Sequence, residues 1–446
     1  MNGKEVFLIE DQGRIVLFAP LRGIILEVHD DEKNRIAELL ECPEFSFENL
    51  LKAFPEIEKD RLLSQKTEYE SEKEKEERFY PISVVLFTTF NCHLRCIYCY
   101  AKAGEQKVNM SWEIAKAAID FIVKNAKQNG KKECSLEFHG GGEPTWNWSV
   151  FKSALNYFQE QTRGNGLVSK INLVTNGMLS RKQIDWITKH DVRAVQISLD
   201  GMEEIHDFQR PTVGGGKSFS VVYRAVKSFL EEGAEVVIHS VVTEKGVKRI
   251  PEIIRFLGNN FPGTMVQMEP ACPCGRGLAT GQQFPSAELF AKGFIEAQEI
   301  AKSFGIELIY SGASSQLTEL HRSFCGVSEP NFVVTPTGLV TACHEVAEFS
   351  HPLARLFIYG QWDSINEEFM LDYQKIEKLK SFVADSDPVC RECFTRFYCV
   401  GDCLAKNLND VDEKDILFLN SRCRINRELV KHYIFNHLFG GKGVAP

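Results

Sequence analysis

The chain has 446 residues, of which 43% are hydrophobic and 25% are charged, and its formal net charge is −9. These values are typical of a globular protein with two or three domains, and the acidic balance argues against nucleic acid as a main partner. No apolar run is long enough to cross a bilayer and no secretory signal pattern is present, so we expect a cytoplasmic protein without a membrane partner. The fourteen cysteines are too sparse for a disulfide scaffold, and their clustering is typical of metal ligation.

Residues 1–57 predict an N-terminal appendage of strands followed by helices. Three apolar runs between turn residues predict strands at 6–11, 14–20 and 23–30, and helical patterns follow at 31–41 and 46–54. This order resembles the winged-helix peptide-recognition element of peptide-modifying enzymes, in which a leader peptide adds a strand to an exposed sheet edge. The alternative is an appendage that only packs on the rest of the protein. Residues 58–81 are dense in charge and predict an exposed linker.

Cys92, Cys96 and Cys99 lie within eight residues, directly after the apolar run 82–90. Thiolates select zinc or iron–sulfur clusters, and a structural zinc site needs a fourth ligand nearby, for which His93 is a poor candidate. With three cysteines, a four-iron cluster keeps one iron free to bind a small molecule. The alternative is a zinc knuckle or chance clustering.

The spacing of Cys92, Cys96, Tyr98 and Cys99 resembles the C-x3-C-x-aromatic-C motif of the radical S-adenosylmethionine superfamily. The resemblance implies that the open iron chelates the amino and carboxylate groups of S-adenosylmethionine. In the family, an electron from the cluster then releases a 5′-deoxyadenosyl radical that abstracts hydrogen from substrate. A flavodoxin or ferredoxin is implied as the reductant.

Predicted strands and helices alternate from residue 82 to about 270, which is typical of a parallel sheet with crossover helices. Six such units predict an α/β fold with a partial (β/α)6 barrel over 82–310, and its chemistry is expected at the carboxyl ends of the strands. A further amphipathic helix is predicted at 284–305. The predicted strands are 82–90, 135–140, 170–177, 194–201, 235–243 and 265–270, and the helices between them are 111–127, 148–162, 180–189, 218–231 and 248–259.

Gly141, Gly142 and Glu143 follow the second of these strands and match the GGE motif of the superfamily. Glycines let the backbone approach a ligand, and the resemblance implies that the carboxylate accepts hydrogen bonds from the methionine ammonium. The alternative is a tight turn between strand and helix.

The resemblance also implies that Tyr98, Asn176, Ser198 and Arg210 contact S-adenosylmethionine, with Arg210 as the partner of the methionine carboxylate. Asn176 and Ser198 are otherwise ordinary turn formers, and Arg210 otherwise belongs to a surface salt bridge. Cys272 and Cys274 follow the sixth strand, and they could ligate a cluster, act as thiols or be inert.

Seven cysteines of the last third have the spacing C-x12-G-x4-C, then C-x2-C-x5-C-x3-C, then C. This pattern resembles the SPASM motif, which holds two auxiliary four-iron clusters and so implies three [4Fe-4S] clusters in all. A zinc ribbon would explain the C-x2-C pair but not the other positions. The seven are Cys325, Cys343, Cys390, Cys393, Cys399, Cys403 and Cys423.

By the same resemblance, Cys390, Cys393, Cys399 and Cys423 form one ligand set, and the remaining three cysteines form a second set that is one ligand short. Asn331 stands where sulfatase-maturing members carry the extra cysteine. Another group, such as Cys272 or Cys274, completes this second set, or an iron stays open to bind a substrate thiolate.

His344 and Glu345 follow Cys343, where the sulfatase-maturing relatives carry an aspartate as general base. They are candidate catalytic residues that accept a substrate proton, although a supporting role is the plainer interpretation. The departure favours enzymes that modify ribosomally made peptides over formylglycine formation.

The sequence therefore predicts a SPASM domain at 311–432, a tail at 433–446, and a radical enzyme acting on a ribosomal precursor peptide. The expected product is a thioether or a carbon–carbon crosslink. The alternatives are sulfatase maturation, peptide splicing by radical excision, and a non-enzymatic iron–sulfur electron carrier or zinc scaffold.

Overall fold

The computed structural model describes residues 5–42, 45–58, 79–382, 388–408 and 421–440. Most of the predicted linker at 58–81 and the end of the predicted tail at 433–446 lie outside these residues. Within the described ranges, no helix is both long enough and apolar enough to cross a membrane.

The N-terminal part forms a three-stranded antiparallel sheet with two helices. The strands are β1 (Phe7–Asp11), β2 (Arg14–Ala19) and β3 (Ile24–Val28), in that order across the sheet, and the helices are α1 (Asp30–Glu41) and α2 (Phe47–Ala53). The three predicted strands and both helices are confirmed. The likeness to a winged-helix element stays a prediction.

Both faces of this small sheet are buried, because successive side chains of a strand point to opposite faces. Leu17 packs with Leu50 and Phe54 of the following helices. Phe18, the next residue, belongs to the main core of the protein, and its ring lies 6.0 Å from that of Tyr398. The N-terminal sheet is therefore an integral layer of the fold.

The centre of the fold is a parallel sheet with the predicted alternation of strands and helices. Its strands are β4 (Ser83–Leu86), β5 (Glu133–Phe138), β6 (Val168–Thr175), β7 (Ala194–Ser198), β8 (Glu235–Val242) and β9 (Met265–Pro270), which are hydrogen-bonded in this order. The helices are α3 (Trp112–Gln128), α4 (Trp148–Gly164), α5 (Arg181–Thr188), α6 (Glu203–Gln209), α7 (Phe219–Glu231) and α8 (Ile250–Asn260). The six strands are confirmed, while β4 ends four residues early and α6 was not predicted.

The two faces of the parallel strands differ in polarity. In β7, Val195 and Ile197 are fully buried, whereas Gln196 between them is only half-buried. The apolar face packs on the helices, as where the ring of Phe138 in β5 lies 4.3 Å from that of Phe151 in α4. The other face is lined by polar side chains, which gives the sheet a hydrophilic inner surface.

The main sheet continues beyond the six strands in both directions. After α9 (Gly275–Ala279) and α10 (Ala287–Ser303), the short β10 (Glu307–Ile309) adds a parallel strand beside β9. On the other side, β11 (Val333–Val334) pairs in parallel with β4, and β12 (Leu339–Thr341), β13 (Ile358–Asp363) and β14 (Glu368–Leu371) follow antiparallel. The sheet thus runs through the predicted domain boundary at 310.

The cysteine-rich region adds short helices and one long helix. These are α11 (Ala354–Phe357), α12 (Tyr373–Lys380), α13 (Pro388–Arg391), α14 (Arg396–Cys399), α15 (Leu404–Leu408) and α16 (Ser421–Phe439). Helix α16 crosses the predicted boundary at 432, packs on α10 and contacts β3. A salt bridge of 3.3 Å between Lys431 and Asp11 joins it to the N-terminal sheet.

Candidate functional site

The three-cysteine loop follows β4 and places its thiols among hydrogen-bond donors. The sulfur of Cys92 accepts bonds of 3.4 Å from the Leu94 N–H and from Asn176 Nδ2, and the sulfur of Cys99 accepts one of 3.5 Å from the Ala103 N–H. Burial raises the pKa of Cys92 to about 11 and that of Cys96 to about 12. Buried thiols of this kind become thiolates when a bound metal supplies positive charge. The donor set therefore fits an iron–sulfur cluster.

Arg276, just past β9, fixes the shape of this loop from outside it. Its guanidinium donates bonds of 2.9 Å to the carbonyls of Cys96 and Ala103, and its own N–H donates a bond of 2.9 Å to the carbonyl of Cys99. Buried carbonyls need such partners, since an unsatisfied one is costly. The segment that contains Cys272 and Cys274 is thereby attached to the three-cysteine loop.

Gly142 lies directly against the three-cysteine loop. A Cβ at this residue would stand 2.1 Å from the carbonyl oxygen of Asn91, which is backbone and cannot move aside as a side chain can. The next residue, Glu143, donates its N–H to the same carbonyl at 2.7 Å. The GGE turn and the cysteine loop are therefore held as one unit, which the glycine makes possible.

The carboxylate of Glu143 is buried and binds the end of β6. Its Oε1 accepts bonds from the N–H and hydroxyl of Thr145, at 3.2 and 2.6 Å, and from the hydroxyl of Thr175 at 2.8 Å. Its Oε2 accepts one bond of 2.8 Å from the N–H of Asn176. Oε2 is thus the atom with capacity left for an ammonium group.

Asn176 connects this carboxylate to the thiols, since its amide nitrogen donates to Cys92 while its Oδ1 accepts a bond of 2.8 Å from the Met178 N–H. Ser198 is the last residue of β7 and is half-buried. Both predicted contacts therefore lie at the carboxyl ends of neighbouring strands, as expected for a site on a parallel sheet.

One carboxylate oxygen of Asp200 accepts three hydrogen bonds. Its Oδ2 accepts bonds from the Tyr98 hydroxyl at 2.7 Å, from Gln209 Nε2 at 2.7 Å and from Arg210 Nε at 3.0 Å. The side chains of Arg210 and Asp200 are 6% and 0% exposed, so the surface salt bridge considered from the sequence is wrong and the pair is buried. Arg210 Nη1 also lies 3.8 Å from the sulfur of Cys96, which places its cation beside the predicted cluster.

The polar face of the sheet brings three histidines together. The rings of His139 and His344 lie 4.4 Å apart, and Phe87 lies 6.0 Å from each of them. Burial lowers the pKa of His139, with further lowering from His344 and His239, and burial lowers that of His344 to about 4. Among the described residues, His139 Nδ1 and His344 Nε2 have no hydrogen-bond partner. These atoms are available to a polar ligand.

Tyr100 directly follows Cys99, and its hydroxyl lies against Gly140 of the turn after β5. Burial raises its pKa well above the usual value, and the charges of Cys99, Glu345 and Cys343 add to the rise. Glu345 itself forms a salt bridge of 3.2 Å with Lys406. The two candidate proton acceptors therefore differ, since Glu345 is paired with a cation, whereas His344 Nε2 has no partner in the part of the chain that the structure describes.

The C-terminal cysteines fall into two groups. In one group, the Thr395 hydroxyl lies 3.1 Å from the sulfur of Cys393 and 3.5 Å from that of Cys399, and Arg427 Nη1 lies 3.6 Å from Cys393. Burial raises the pKa of Cys423 to about 11, and Cys393 adds to the rise, so this thiol is near the same group. Cys390, whose thiol is also buried, precedes Cys393 by three residues.

In the other group, burial and then the proximity of Cys403 raise the pKa of both Cys325 and Cys343. The Asn331 amide donates to the carbonyls of Cys325 and Ala342, at 3.1 and 3.0 Å, and so braces the two loops. The division of these cysteines into two ligand sets, which the SPASM resemblance implies, stays a prediction.

Cys272 and Cys274 lie near the salt bridge of Glu345 and Lys406. The Cys272 thiol donates to the Pro270 carbonyl at 3.4 Å. Burial raises the pKa of Cys274, and Glu345 adds to the rise. Within the described ranges, no three His, Cys, Asp or Glu side chains converge closely enough to ligate a single metal ion.

Several residues that build the site were not predicted from the sequence. His139 was visible as a polar residue at the end of a predicted buried strand, whereas Asp200 had been noted among the polar residues that end the fourth strand of the barrel. Arg276, Lys406 and Arg422 gave no such signal, because their partners lie far away in the sequence.

Comparison with known proteins identifies one domain of the chain. The model of the Radical SAM superfamily matches residues 86–257. Uncharacterized protein MJ0907 of Methanocaldococcus jannaschii is 29% identical over 175 residues, which cover 39% of this chain and 57% of that protein. The chain thus spans just over half the length of this relative. A cysteine-type anaerobic sulfatase-maturating enzyme of Clostridium perfringens is 23% identical over 378 residues, which cover 79% of this chain and 96% of that enzyme.

Two solved structures share the fold. Native anSMEcpe with bound AdoMet and Cp18Cys peptide superposes with a TM-score of 0.63 at 21% identity, covering 81% of this chain and 98% of that one. SuiB of Streptococcus suis bound to precursor peptide SuiA superposes with a TM-score of 0.55 at 15% identity, covering 95% and 99%. This chain is therefore an enzyme that carries a radical S-adenosylmethionine domain over residues 86–257 and is similar to the SPASM-type maturases.

Proposed function

We propose that the enzyme modifies a ribosomally made precursor peptide by hydrogen abstraction and forms a thioether or carbon–carbon crosslink. The observation that carries this proposal is the contact between His139, beside the GGE turn, and His344, which follows Cys343, since their rings lie 4.4 Å apart. A substrate held there would lie between the three-cysteine loop and a second cysteine group. His139 and His344 would offer their unpartnered nitrogens to its polar groups.

S-adenosylmethionine would be held at the open end of the parallel sheet, in a partial barrel. Cys92, Cys96 and Cys99 would hold the iron–sulfur cluster on which it binds, and bound there it supplies the radical chemistry of hydrogen abstraction. The side chains that would contact it are those that the structure brings around the cysteine loop. They are Tyr98, Gly141, Gly142, Glu143, Asn176, Ser198 and Arg210.

Two further four-iron clusters would be held by the two C-terminal cysteine groups. Cys390, Cys393, Cys399 and Cys423 would ligate one of them, and Cys325, Cys343 and Cys403 the other. Asn331 uses its amide to brace backbone carbonyls, so it would leave the second cluster open to a further ligand. Clusters in these places would accept the electron that the modified peptide gives up, and a flavodoxin or ferredoxin would supply the first cluster with its electron.

The N-terminal sheet would bind the leader of the precursor peptide. Leu17 and Phe18 show that both faces of this sheet are covered, so a peptide would have to pair with the edge of β1 or β3. Strand addition uses main-chain hydrogen bonds at such an edge. The likeness in fold to SuiB, whose structure holds the precursor peptide SuiA, supports this part of the proposal.

His344 and Glu345 remain the candidate catalytic residues. His344 is the better proposal for contact with substrate, because its Nε2 has no partner among the described residues, whereas Glu345 is paired with Lys406.

Sulfatase maturation is the second candidate function, favoured by the similarity over 79% of the chain to a sulfatase-maturating enzyme. Peptide splicing is a third outcome. The mass of the product separates these reactions, since a crosslink removes two hydrogens from the peptide and splicing removes part of a residue. Incubation with short peptides that neighbouring genes encode, and with a peptide carrying a sulfatase motif, tests both substrate classes.

The experiment that tests the proposed cofactors counts iron and sulfide after anaerobic reconstitution. We expect roughly twelve irons per chain in the wild type and about eight in the Cys92→Ala, Cys96→Ala, Cys99→Ala triple variant, with cleavage of S-adenosylmethionine lost. Cys42→Ala is the matched control, because Cys42 is exposed and belongs to no cysteine group. Only about four irons in the wild type, or zinc in place of iron, would refute the two auxiliary clusters.

A further inference from the structure

A buried ion pair lies between the two C-terminal cysteine groups. Arg422 forms a bidentate salt bridge with Asp402, in which Nε lies 2.9 Å from Oδ2 and Nη2 lies 3.0 Å from Oδ1. Each side chain is only 5% exposed. Such bidentate, charge-assisted bonds are among the strongest and most directional in proteins.

The pair extends to the main sheet through Glu269 at the end of β9. Arg422 Nη1 lies 3.2 Å from Glu269 Oε2, and the Glu269 side chain is 12% exposed. Asn426, one turn further along α16, donates a bond of 2.8 Å to Asp402 Oδ2. Glu269, Asp402 and Arg422, which we call the bridging ion network, thus join the sheet, the cysteine loop and α16.

The two residues of the ion pair are next to cysteines of different groups: Asp402 precedes Cys403, and Arg422 precedes Cys423. Asp402 lies between Cys399 and Cys403 in the sequence. Its N–H donates a bond of 2.6 Å to the Cys399 carbonyl, and its Oδ1 accepts a bond of 2.6 Å from the Cys403 N–H. Asp402 has a φ of +57°, a conformation unusual for a residue with a side chain. Arg422 directly precedes Cys423. The network therefore contacts the backbone of both groups at once.

The carboxylate of Asp402 therefore lies close to a proposed ligand of each cluster, since its residue is bonded to the Cys399 carbonyl and to the Cys403 N–H. A nearby negative charge disfavours a further negative charge, whether on a thiolate or on a reduced cluster.

We propose that the bridging ion network sets the reduction potentials of both auxiliary clusters together. This inference rests on the proposed function, because it requires those clusters to be present. The network carries two negative charges and one positive charge, so it has a net charge of −1 in a region that excludes solvent. Charges in such a region are weakly screened, and a change of one charge acts on both clusters in the same direction.

The sign of the effect follows from the charge that is changed. Arg422→Gln leaves two negative charges and makes each cluster harder to reduce, which lowers both potentials. Asp402→Asn neutralises the network and raises both potentials. The double variant restores the net charge of −1 and returns both potentials toward the wild-type values. A purely structural role would not give shifts of opposite sign.

The test uses the full chain with Cys92, Cys96 and Cys99 replaced by alanine, so that all bound iron belongs to the auxiliary clusters. Reduction is followed by electron paramagnetic resonance during a redox titration. We expect a tenfold change, or about 59 mV, in the reduction equilibrium of each cluster, downward for Arg422→Gln and upward for Asp402→Asn. If the triple-alanine protein with an intact network bound no iron, the proposed auxiliary clusters themselves would be refuted. That result differs from a failure of the network to shift their potentials.

Arg424→Gln is the matched control. Arg424 follows Cys423 as Arg422 precedes it, but its side chain is 61% exposed, so solvent screens its charge. We expect a smaller shift that is confined to the cluster of Cys423. Shifts in the same direction for Arg422→Gln and Asp402→Asn, or no shift in iron-replete protein, would overturn the proposal. Loss of auxiliary iron from Asp402→Asn would also overturn it, because the network would then only hold the fold together.

Discussion

Glutamine in place of Glu143 tests how the GGE turn is held. Glu143 receives three hydrogen bonds on Oε1 and one on Oε2, the latter from the Asn176 N–H. Glutamine can keep an oxygen toward the three donors, but it then turns an NH2 group toward the Asn176 N–H. One charge-assisted bond is lost and two donors face each other, which we expect to cost about 1.5–3 kcal/mol.

Glu137→Gln is the control, and we expect it to change the stability of the fold in the opposite direction. Burial raises the pKa of Glu137, in β5, to about 7. An acid whose pKa is raised in the folded state destabilises the fold increasingly as pH rises from its unfolded pKa, near 4.3. This loss of stability levels off above pH 7, because the group is then ionised in both states. Glu137→Gln removes this loss of stability, which is at most about 2 kcal/mol at pH 6 and at most about 4 kcal/mol at pH 8.5.

The assay is anaerobic thermal unfolding of the reconstituted wild type and both variants at pH 6 and pH 8.5. We expect Glu143→Gln to melt below the wild type at both pH values, and Glu137→Gln to melt above it, with a larger gain at pH 8.5. S-adenosylmethionine should also bind more weakly to Glu143→Gln, because Asn176 holds the thiol of Cys92. A Glu143→Gln protein as stable as the wild type at pH 8.5 would refute the four-donor arrangement, and a pH-independent gain for Glu137→Gln would refute its raised pKa.

Three further substitutions test separate parts of the site. Gly142→Ala should abolish S-adenosylmethionine cleavage and lower the iron content, because its Cβ would meet the Asn91 carbonyl at 2.1 Å, and full activity would contradict the close packing of the loops. Asp200→Asn should lower the stability by about 3–5 kcal/mol, since it leaves the buried Arg210 without a counter-charge, and a change in melting temperature within error would count against the pair. Asn331→Ala should lower the stability by about 1–3 kcal/mol by leaving the Cys325 and Ala342 carbonyls without their donor, and an unchanged melting temperature would show that water replaces it.

The sequence by itself predicted the features that depend on local spacing. The three-cysteine loop and the GGE turn were visible because a loop that surrounds a cofactor needs its ligands a few residues apart. The six parallel strands and the three N-terminal strands were visible because buried strands are continuous or alternating apolar runs between turn residues. β10 escaped notice because it has only three residues. β11 escaped notice because a two-residue strand has no pattern of its own, and only its pairing with β4 shows that the cysteine-rich region continues the main sheet.

Only the tertiary structure decided which polar residues act on one another. Tyr98 and Asp200 are 102 residues apart, and Arg422 and Glu269 are 153 residues apart, yet each pair is bonded. The buried partner of Arg210, the contact between the rings of His139 and His344 and the bridging ion network all depend on such distant contacts. A charged residue has the same letter in the sequence whether it lies in solvent or in the core, and its effect depends on the dielectric and the partners around it. Those partners are fixed only when the chain is folded.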